Sequence, residues 1–171
     1  PLFSTPTIMA REVDMFGFIS QKNIAVTANG IVEKPAEEIF GFIAPRFFEN
    51  YAKWCPEVIE IECLSEAPVH QNSRGRQVTS DHGVETESDF EVSEFISNEK
   101  FAIAGIHEPF TSSYEITPLG PDMCRLAFSF EIKELDIVMR PFQKLIRSAL
   151  QEGAARTVEN IKQLLEHPQP A

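Results

Sequence analysis

Alternating apolar and polar residues are the most regular pattern in this chain, and they predict a series of β-strands. The clearest run is the last one, in which one side would carry Cys124, Leu126, Phe128, Phe130 and Ile132. Shorter runs of the same kind occupy residues 22–32 and 58–64 and fill the region from 74 to 133. Turn signals divide that region, among them Asp81-His82-Gly83 and Leu119-Gly120-Pro121-Asp122. The pattern therefore predicts two early strands followed by an antiparallel meander.

Apolar residues at helical spacing predict two short helices and one long helix. Pro35, followed by Glu37 and Glu38, is typical of a helix start, and Pro45 ends that helix. A second short helix is predicted over residues 46–54 and a long one over residues 140–166. Small residues, Gly153-Ala154-Ala155, interrupt the long helix. Either a strand contacts the helix closely there, or the small residues leave room for a ligand, since a glycine inside a helix is destabilising by about 1 kcal/mol.

Length, composition and charge narrow the class of protein. The 171 residues suit one domain, and 14 phenylalanines supply apolar walls for a core or a cavity. A net charge of −11, without a run of basic residues, argues against a nucleic-acid partner. No apolar stretch is long enough for a membrane span. Three cysteines without metal-ligand spacing favour reduced thiols in the cytoplasm, and no metal or cofactor is expected.

The order of the predicted elements, together with four local motifs, resembles the START-like (SRPBCC) superfamily and, within it, the polyketide cyclase/dehydrase-like branch. The motifs are residues 32–40 (VEKPAEEIF), 50–56 (NYAKWCP), 74–76 (RGR) and 157–165 (TVENIKQLL). The resemblance implies an α+β helix-grip fold, in which a curved, seven-stranded antiparallel sheet wraps around a long C-terminal helix. It divides the chain into an N-terminal arm (1–21), a ligand-binding domain (22–166) and a tail (167–171). It also implies a deep cavity between sheet and helix.

Residue parity along each strand gives the side chains expected to face this cavity. Taking Val78 as inward brings Arg74, Arg76 and Ser80 to the same face, and taking Phe101 and Ile103 as inward adds Gly105 and His107. By the same argument, an inward Ile116 places Tyr114 and Ser112 on the inner face. Inward Phe90 and Val92 place Thr86 and Ser88 there. The alternating acidic residues Glu85, Glu87, Asp89 and Glu91 would then form an outer stripe.

Three of these residues are candidates for chemistry, each with a structural alternative. Arg76 would hold an anionic group or an enolate, or else reach solvent at the strand end. His107 would act as a general acid or base, or lie at the end of its strand as a hydrogen-bonded histidine. Tyr114 would polarise a ligand carbonyl, or belong to the core. The remaining predicted wall residues are Trp54, Val78, Phe90, Ile103, Phe128, Phe130, Phe142 and Ile146.

Three functions are compatible with these features. The first is a binder of a hydrophobic small molecule (a lipid, an aromatic or a polyketide-like compound). The second is an enzyme of the polyketide cyclase, aromatase or dehydrase kind that uses His107, Tyr114 and Arg76. The third is a protein-interaction domain with a vestigial cavity, which docks a partner through its acidic face. No pattern in the sequence predicts an oligomeric state.

Overall fold

A computed structural model describes residues 23–168, and within them the chain forms a seven-stranded antiparallel sheet. The spatial order of its strands is β1-β7-β6-β5-β4-β3-β2. The strands are β1 (Ile24–Val32), β2 (Val58–Cys63), β3 (Arg74–Asp81), β4 (Val84–Ile96), β5 (Lys100–Gly105), β6 (Phe110–Gly120) and β7 (Met123–Ile132). The meander from β2 to β7 and the curved helix-grip architecture confirm the predicted fold class.

Two short helices connect β1 to β2, and a long one ends the described chain. They are α1 (Ala36–Ile43), α2 (Phe47–Trp54) and α3 (Gln143–Glu166), and a 3₁₀ turn over Ile137–Phe142 precedes α3. The predicted start of α1 is confirmed, with Glu37 and Glu38 in its first turn, where carboxylates oppose the positive end of the helix dipole. The first residues predicted for the long helix belong instead to the 3₁₀ turn. No helix within residues 23–168 is long and apolar enough to cross a membrane.

The long helix α3 covers the edge of the sheet formed by β1. Arg147 donates a hydrogen bond from Nη1 to the carbonyl oxygen of Ala25 (2.9 Å), and Gln151 donates from Nε2 to the carbonyl oxygen of Thr27 (2.9 Å). These bonds satisfy acceptors that an edge strand would otherwise leave open. Further along, a Cβ at Gly30 would lie 2.6 Å from a methyl group of Val158, so only glycine permits this approach. The register between α3 and β1 is thus set by specific contacts.

Aromatic side chains of α2 fill the concave side of the sheet near its centre. The ring of Phe47 stacks on that of Tyr51, with 4.5 Å between the ring centroids, and its centroid lies 4.9 Å from that of Phe101 in β5. All three side chains are buried. Burial of one such ring contributes about 1.5–3 kcal/mol to stability. This cluster anchors both short helices and leaves the other half of the concavity to α3.

The predicted N-terminal arm lies outside the described residues, as do residues 169–171 of the predicted tail.

Candidate functional site

The concave face of the sheet is apolar or neutral along every described strand. The pairing registers bring alternate residues of neighbouring strands to one face, for example Phe101 with Tyr114 and Phe128. Apart from Asp81, whose side chain is 84% exposed where β3 meets its turn, none of the inward residues of β1–β7 is charged. A molecule held against this face would meet hydrocarbon, hydroxyl and amide groups.

A stripe of α3 faces the same space from the other side. Ile146, Leu150, Gly153 and Thr157 recur at helical spacing, between the side of α3 that bonds to β1 and the side that reaches α2. On the latter side, Asn160 donates from Nδ2 to the carbonyl oxygen of Trp54 (3.0 Å). A Cβ at Gly153 would have only the side chain of Arg156 within 4 Å, at 3.8 Å. Among the described residues, no strand atom approaches Gly153, so the glycine leaves space rather than making a close contact.

A polar pair lies on the inner face of β3 and β4. Gln77 is 7% exposed and donates from Nε2 to the hydroxyl of Ser88 (3.1 Å). The other amide atom, Oε1 of Gln77, is buried and has no hydrogen-bond partner among the described residues. Since buried polar atoms in folded proteins are nearly always paired, this oxygen is an exception that needs an explanation.

The prediction of which β3 side chains face inward is wrong by one residue. The inner face carries Gly75 and Gln77, whereas Arg76 and Val78 lie on the convex face. The reason is the pairing of β3 with β4, which sets Gly75 opposite the fully buried Phe90. A Cβ at Gly75 would lie 2.4 Å from the Phe90 ring, so this position admits only glycine.

On the convex face, Arg76 forms a two-pronged ion pair with Asp89. The guanidinium donates from Nε to Oδ1 (2.7 Å) and from Nη2 to Oδ2 (3.1 Å). Hydrogen bonding by Arg76 lowers the pKa of Asp89, and the same bond raises the pKa of Arg76. Arg76 therefore has its anionic partner within the fold, and the predicted acidic outer stripe is confirmed on this face.

Tyr114 does face inward, but its hydroxyl is already engaged. It accepts a hydrogen bond from Nε1 of Trp54 (3.1 Å), and each of the two residues is 1% exposed. Burial raises the pKa of Tyr114 well above the ordinary value of a tyrosine. The hydroxyl thus contributes to core packing between α2 and β6 and holds its proton firmly.

The structure brings together most of the predicted wall residues and leaves some of the others apart. Those placed on the inner side are Trp54, Phe90, Ile103, Tyr114, Phe128, Phe130 and, from α3, Ile146. His107 is exposed in the loop between β5 and β6, and Phe142 is 53% exposed. Arg76, Val78 and His107 therefore lie away from the inner face.

A group of exposed apolar side chains lies between the end of β7 and the first turn of α3. They lie in the 3₁₀ turn and the first turn of α3, which follow the end of β7: Ile137, Val138, Met139, Phe142 and Leu145. At the opposite end of the sheet, an open groove of about 590 Å³ runs past Ile96 and Lys100. There the ammonium group of Lys100 forms ion pairs with both Glu94 (3.0 Å) and Glu115 (3.1 Å), so its charge is already compensated within the fold.

The cysteine closest to the aromatic cluster, Cys55, is unreactive at neutral pH. Burial, and then the nearby Glu57, raise the pKa of the Cys55 thiol to about 12. Such a thiol is protonated at neutral pH, and the thiolate is the reactive form. Within residues 23–168, no three His, Cys, Asp or Glu side chains are grouped closely enough to hold a metal ion.

Gln77 is the residue of the site that parity reasoning missed. A signal for it exists in the sequence, because the turn after β3 is only two residues long, His82-Gly83. Both turn residues have positive φ (48° and 82°), as in the turns that close tight hairpins. Such a turn pairs Asp81 with Val84 and, counting back, Gln77 with Ser88.

Comparison with known proteins identifies a family that matches most of this chain. The family described as polyketide cyclase / dehydrase and lipid transport matches residues 23–166. No curated protein matches the sequence significantly.

Among solved structures, the chain is similar to the Zhui aromatase/cyclase from Streptomyces sp. R1128 (TM-score 0.72, 11% identity, covering 87% of this chain and 97% of that one). It is also similar to a START superfamily protein from Mycobacterium smegmatis (0.62, 22%, 82% and 98%). A third is truncated norcoclaurine synthase from Thalictrum flavum (0.64, 13%, 86% and 96%). At these identities the likeness is one of fold.

Proposed function

Because this chain belongs to the polyketide cyclase / dehydrase and lipid transport family, we propose that it binds a hydrophobic small molecule between the concave sheet and α3. The ligand is a lipid, an aromatic or a polyketide-like compound, in keeping with the family's description. The observation that carries this proposal is the uncharged inner face of the sheet, which faces an apolar stripe of α3 with open space at Gly153.

The physical basis is transfer of apolar surface out of water. Each methylene group that enters such a site contributes about 0.8 kcal/mol, so a ligand with several rings or a short chain gains enough to bind. The half-buried residues Ile146, Leu150 and Phe130 supply the receiving surface. The exposed apolar residues of the 3₁₀ turn and the first turn of α3 add apolar surface that suits the same ligand class.

Binding is favoured over catalysis by the positions of the three candidate residues. The Tyr114 hydroxyl is buried and accepts the hydrogen bond of Trp54, Arg76 is paired on the convex face, and His107 is exposed in a loop. The enzymatic alternative, suggested by likeness to an aromatase/cyclase, would need an acid and a base at the ligand. The interaction-domain alternative would use the acidic outer stripe, where Asp89 is already paired with Arg76.

We also place the protein in the cytoplasm. All three cysteines, Cys55, Cys63 and Cys124, are free thiols, as is usual in a reducing compartment.

The test uses a matched pair of leucine substitutions in α3. Gly153→Leu would fill the open space above the sheet, whereas Ala155→Leu adds a comparable side chain at an exposed position two residues away. Binding of a neutral fluorescent naphthylamine probe is titrated with wild-type protein and both variants. We expect Gly153→Leu to weaken binding by about tenfold or more, a loss of 1.4 kcal/mol, and Ala155→Leu to bind like wild type.

Native mass spectrometry of the purified protein, followed by solvent extraction, would identify any co-purifying ligand. Equal probe affinity in all three proteins, together with clean ligand-free protein, would contradict the proposed site and favour the partner-docking alternative. Circular dichroism serves as the control that both variants are folded.

A further inference from the structure

We propose that the amide of Gln77 is the polar anchor of the site and that it selects an electrically neutral ligand carrying a hydroxyl group. The inference rests on the proposed function and deepens it, because it names the chemistry of the ligand. It is carried by one buried, unpaired atom, Oε1 of Gln77, on a face that is otherwise apolar or neutral.

The unpaired oxygen is the starting point. Gln77 donates from Nε2 to the Ser88 hydroxyl, and in this arrangement Oε1 is an acceptor without a donor among the described residues. An acceptor buried in this way is unfavourable in the ligand-free protein, because it has lost water and gained nothing. A ligand O–H group that donates to Oε1 would remove that penalty, whereas an ether oxygen could only accept.

The absence of positively charged residues along the inner face of the described strands sets the second requirement. No inward residue of the described strands could neutralise an ionised carboxylate or phosphate. Arg76, which is next to Gln77 in sequence, points to the convex face and is held there by Asp89. An anionic ligand would therefore lose its hydration without compensation, and the site should reject it.

Gln77 also lies on the inner face of the sheet, next to the position where Gly75 packs against Phe48 of α2. It belongs to the same inner face as Phe90, one pair along from the Gly75–Phe90 contact. Its neighbour in that direction, Thr79, pairs with Thr86 and is only partly buried. The amide thus stands between the packed aromatic cluster and the more open end of β3 and β4.

The experiment compares three probes that share one ring system: β-naphthol, its methyl ether and β-naphthoate. Their affinities are measured by fluorescence titration at neutral pH for wild type, Gln77→Leu and Thr111→Val. Thr111 is the matched control, because its Oγ1 is also buried and unpaired but lies on the convex face, opposite Ala104 and Glu131.

Wild type is expected to bind β-naphthol about tenfold more tightly than the methyl ether, with β-naphthoate the weakest. Gln77→Leu should lose this preference and bind naphthol and ether within about twofold of each other, whereas Thr111→Val should keep it. The ligand-free Gln77→Leu variant should melt no lower than wild type, because it no longer buries an unpaired amide.

Each other outcome has a defined meaning. A Gln77→Leu variant that melts lower but keeps the preference for naphthol would assign Gln77 a structural role and overturn the inference. Equal binding of all three probes to wild type would overturn the inference while leaving the proposed function intact. Failure of every probe to bind wild type would remove the proposed function, and the inference with it.

Discussion

Replacing Tyr114 by phenylalanine removes one oxygen atom from the aromatic cluster and tests whether that atom belongs to the core or to the ligand. In the structure, the hydroxyl accepts the hydrogen bond of the Trp54 indole at 3.1 Å. Both residues are 1% exposed, so the indole N–H has no access to water once its partner is gone. A buried donor left in this state costs about 1–3 kcal/mol. For a chain of this size, each kcal/mol corresponds to a melting temperature about 2–4 °C lower.

The assay is urea denaturation of four proteins: wild type, Tyr114→Phe, Trp54→Phe and the double variant. With Trp54→Phe as background, the Tyr114 hydroxyl has lost its donor, so its removal should be neutral or stabilising. The coupling between the two sites should therefore reach about 1–3 kcal/mol. Tyr114→Phe with a loss below about 0.5 kcal/mol, or with the same loss in both backgrounds, would refute this account.

The same variant distinguishes a binder from an enzyme. Since the hydroxyl is bonded to Trp54, its removal should leave the affinity for a neutral naphthyl probe within about twofold of wild type. If Tyr114 instead shuttled a proton, an activity found for this protein would fall by about a hundredfold or more with the folded variant. Burial raises the pKa of Tyr114 well above its usual range, which argues against such a role at neutral pH.

Two further predictions concern the frame around the site. Gly30→Ala should destabilise the protein by about 1–3 kcal/mol, because the added methyl would lie 2.6 Å from α3. Gly153→Ala should instead stabilise the protein by up to about 1 kcal/mol, because alanine favours the helix and only a flexible side chain lies within 4 Å of the added methyl. If urea denaturation gave the same change in unfolding free energy for Gly30→Ala and Gly153→Ala, both predictions would be contradicted. Asp89→Asn should be less stable than wild type at neutral pH, because Arg76 lowers the pKa of this carboxylate in the folded state. The difference should be complete above the unfolded carboxyl pKa of about 4 and shrink as the pH falls below it; a difference in melting temperature that is as large at pH 3 would count against the ion pair.

The sequence was sufficient for the fold because its strongest patterns are repeated many times along the chain. The alternation in β7, the Pro35 helix start and the apolar stripe of α3 each recur over several residues, so one ambiguous position does not change the assignment. β3 has no such redundancy: Val78 is its single strongly apolar residue, and it faces outward. There, partner contacts decide which residues face inward, and parity within one strand could not supply them.

Several positions that break local rules border the proposed site. The aromatic cluster around Phe47 is closely packed, and within it the buried Tyr114 hydroxyl accepts the hydrogen bond of the Trp54 indole. By contrast, the surroundings of the proposed site include a helix-interior glycine, Gly153 on α3, an unpaired buried amide at Gln77 on β3, and exposed apolar residues before and at the start of α3. Each of these features lowers stability or solubility when the protein is empty, and an apolar ligand with one donor group would relieve the unpaired amide and cover apolar surface. A fold that kept them only for packing would gain from Gln77→Leu and Gly153→Ala at once, so their joint presence argues that the space they border is used.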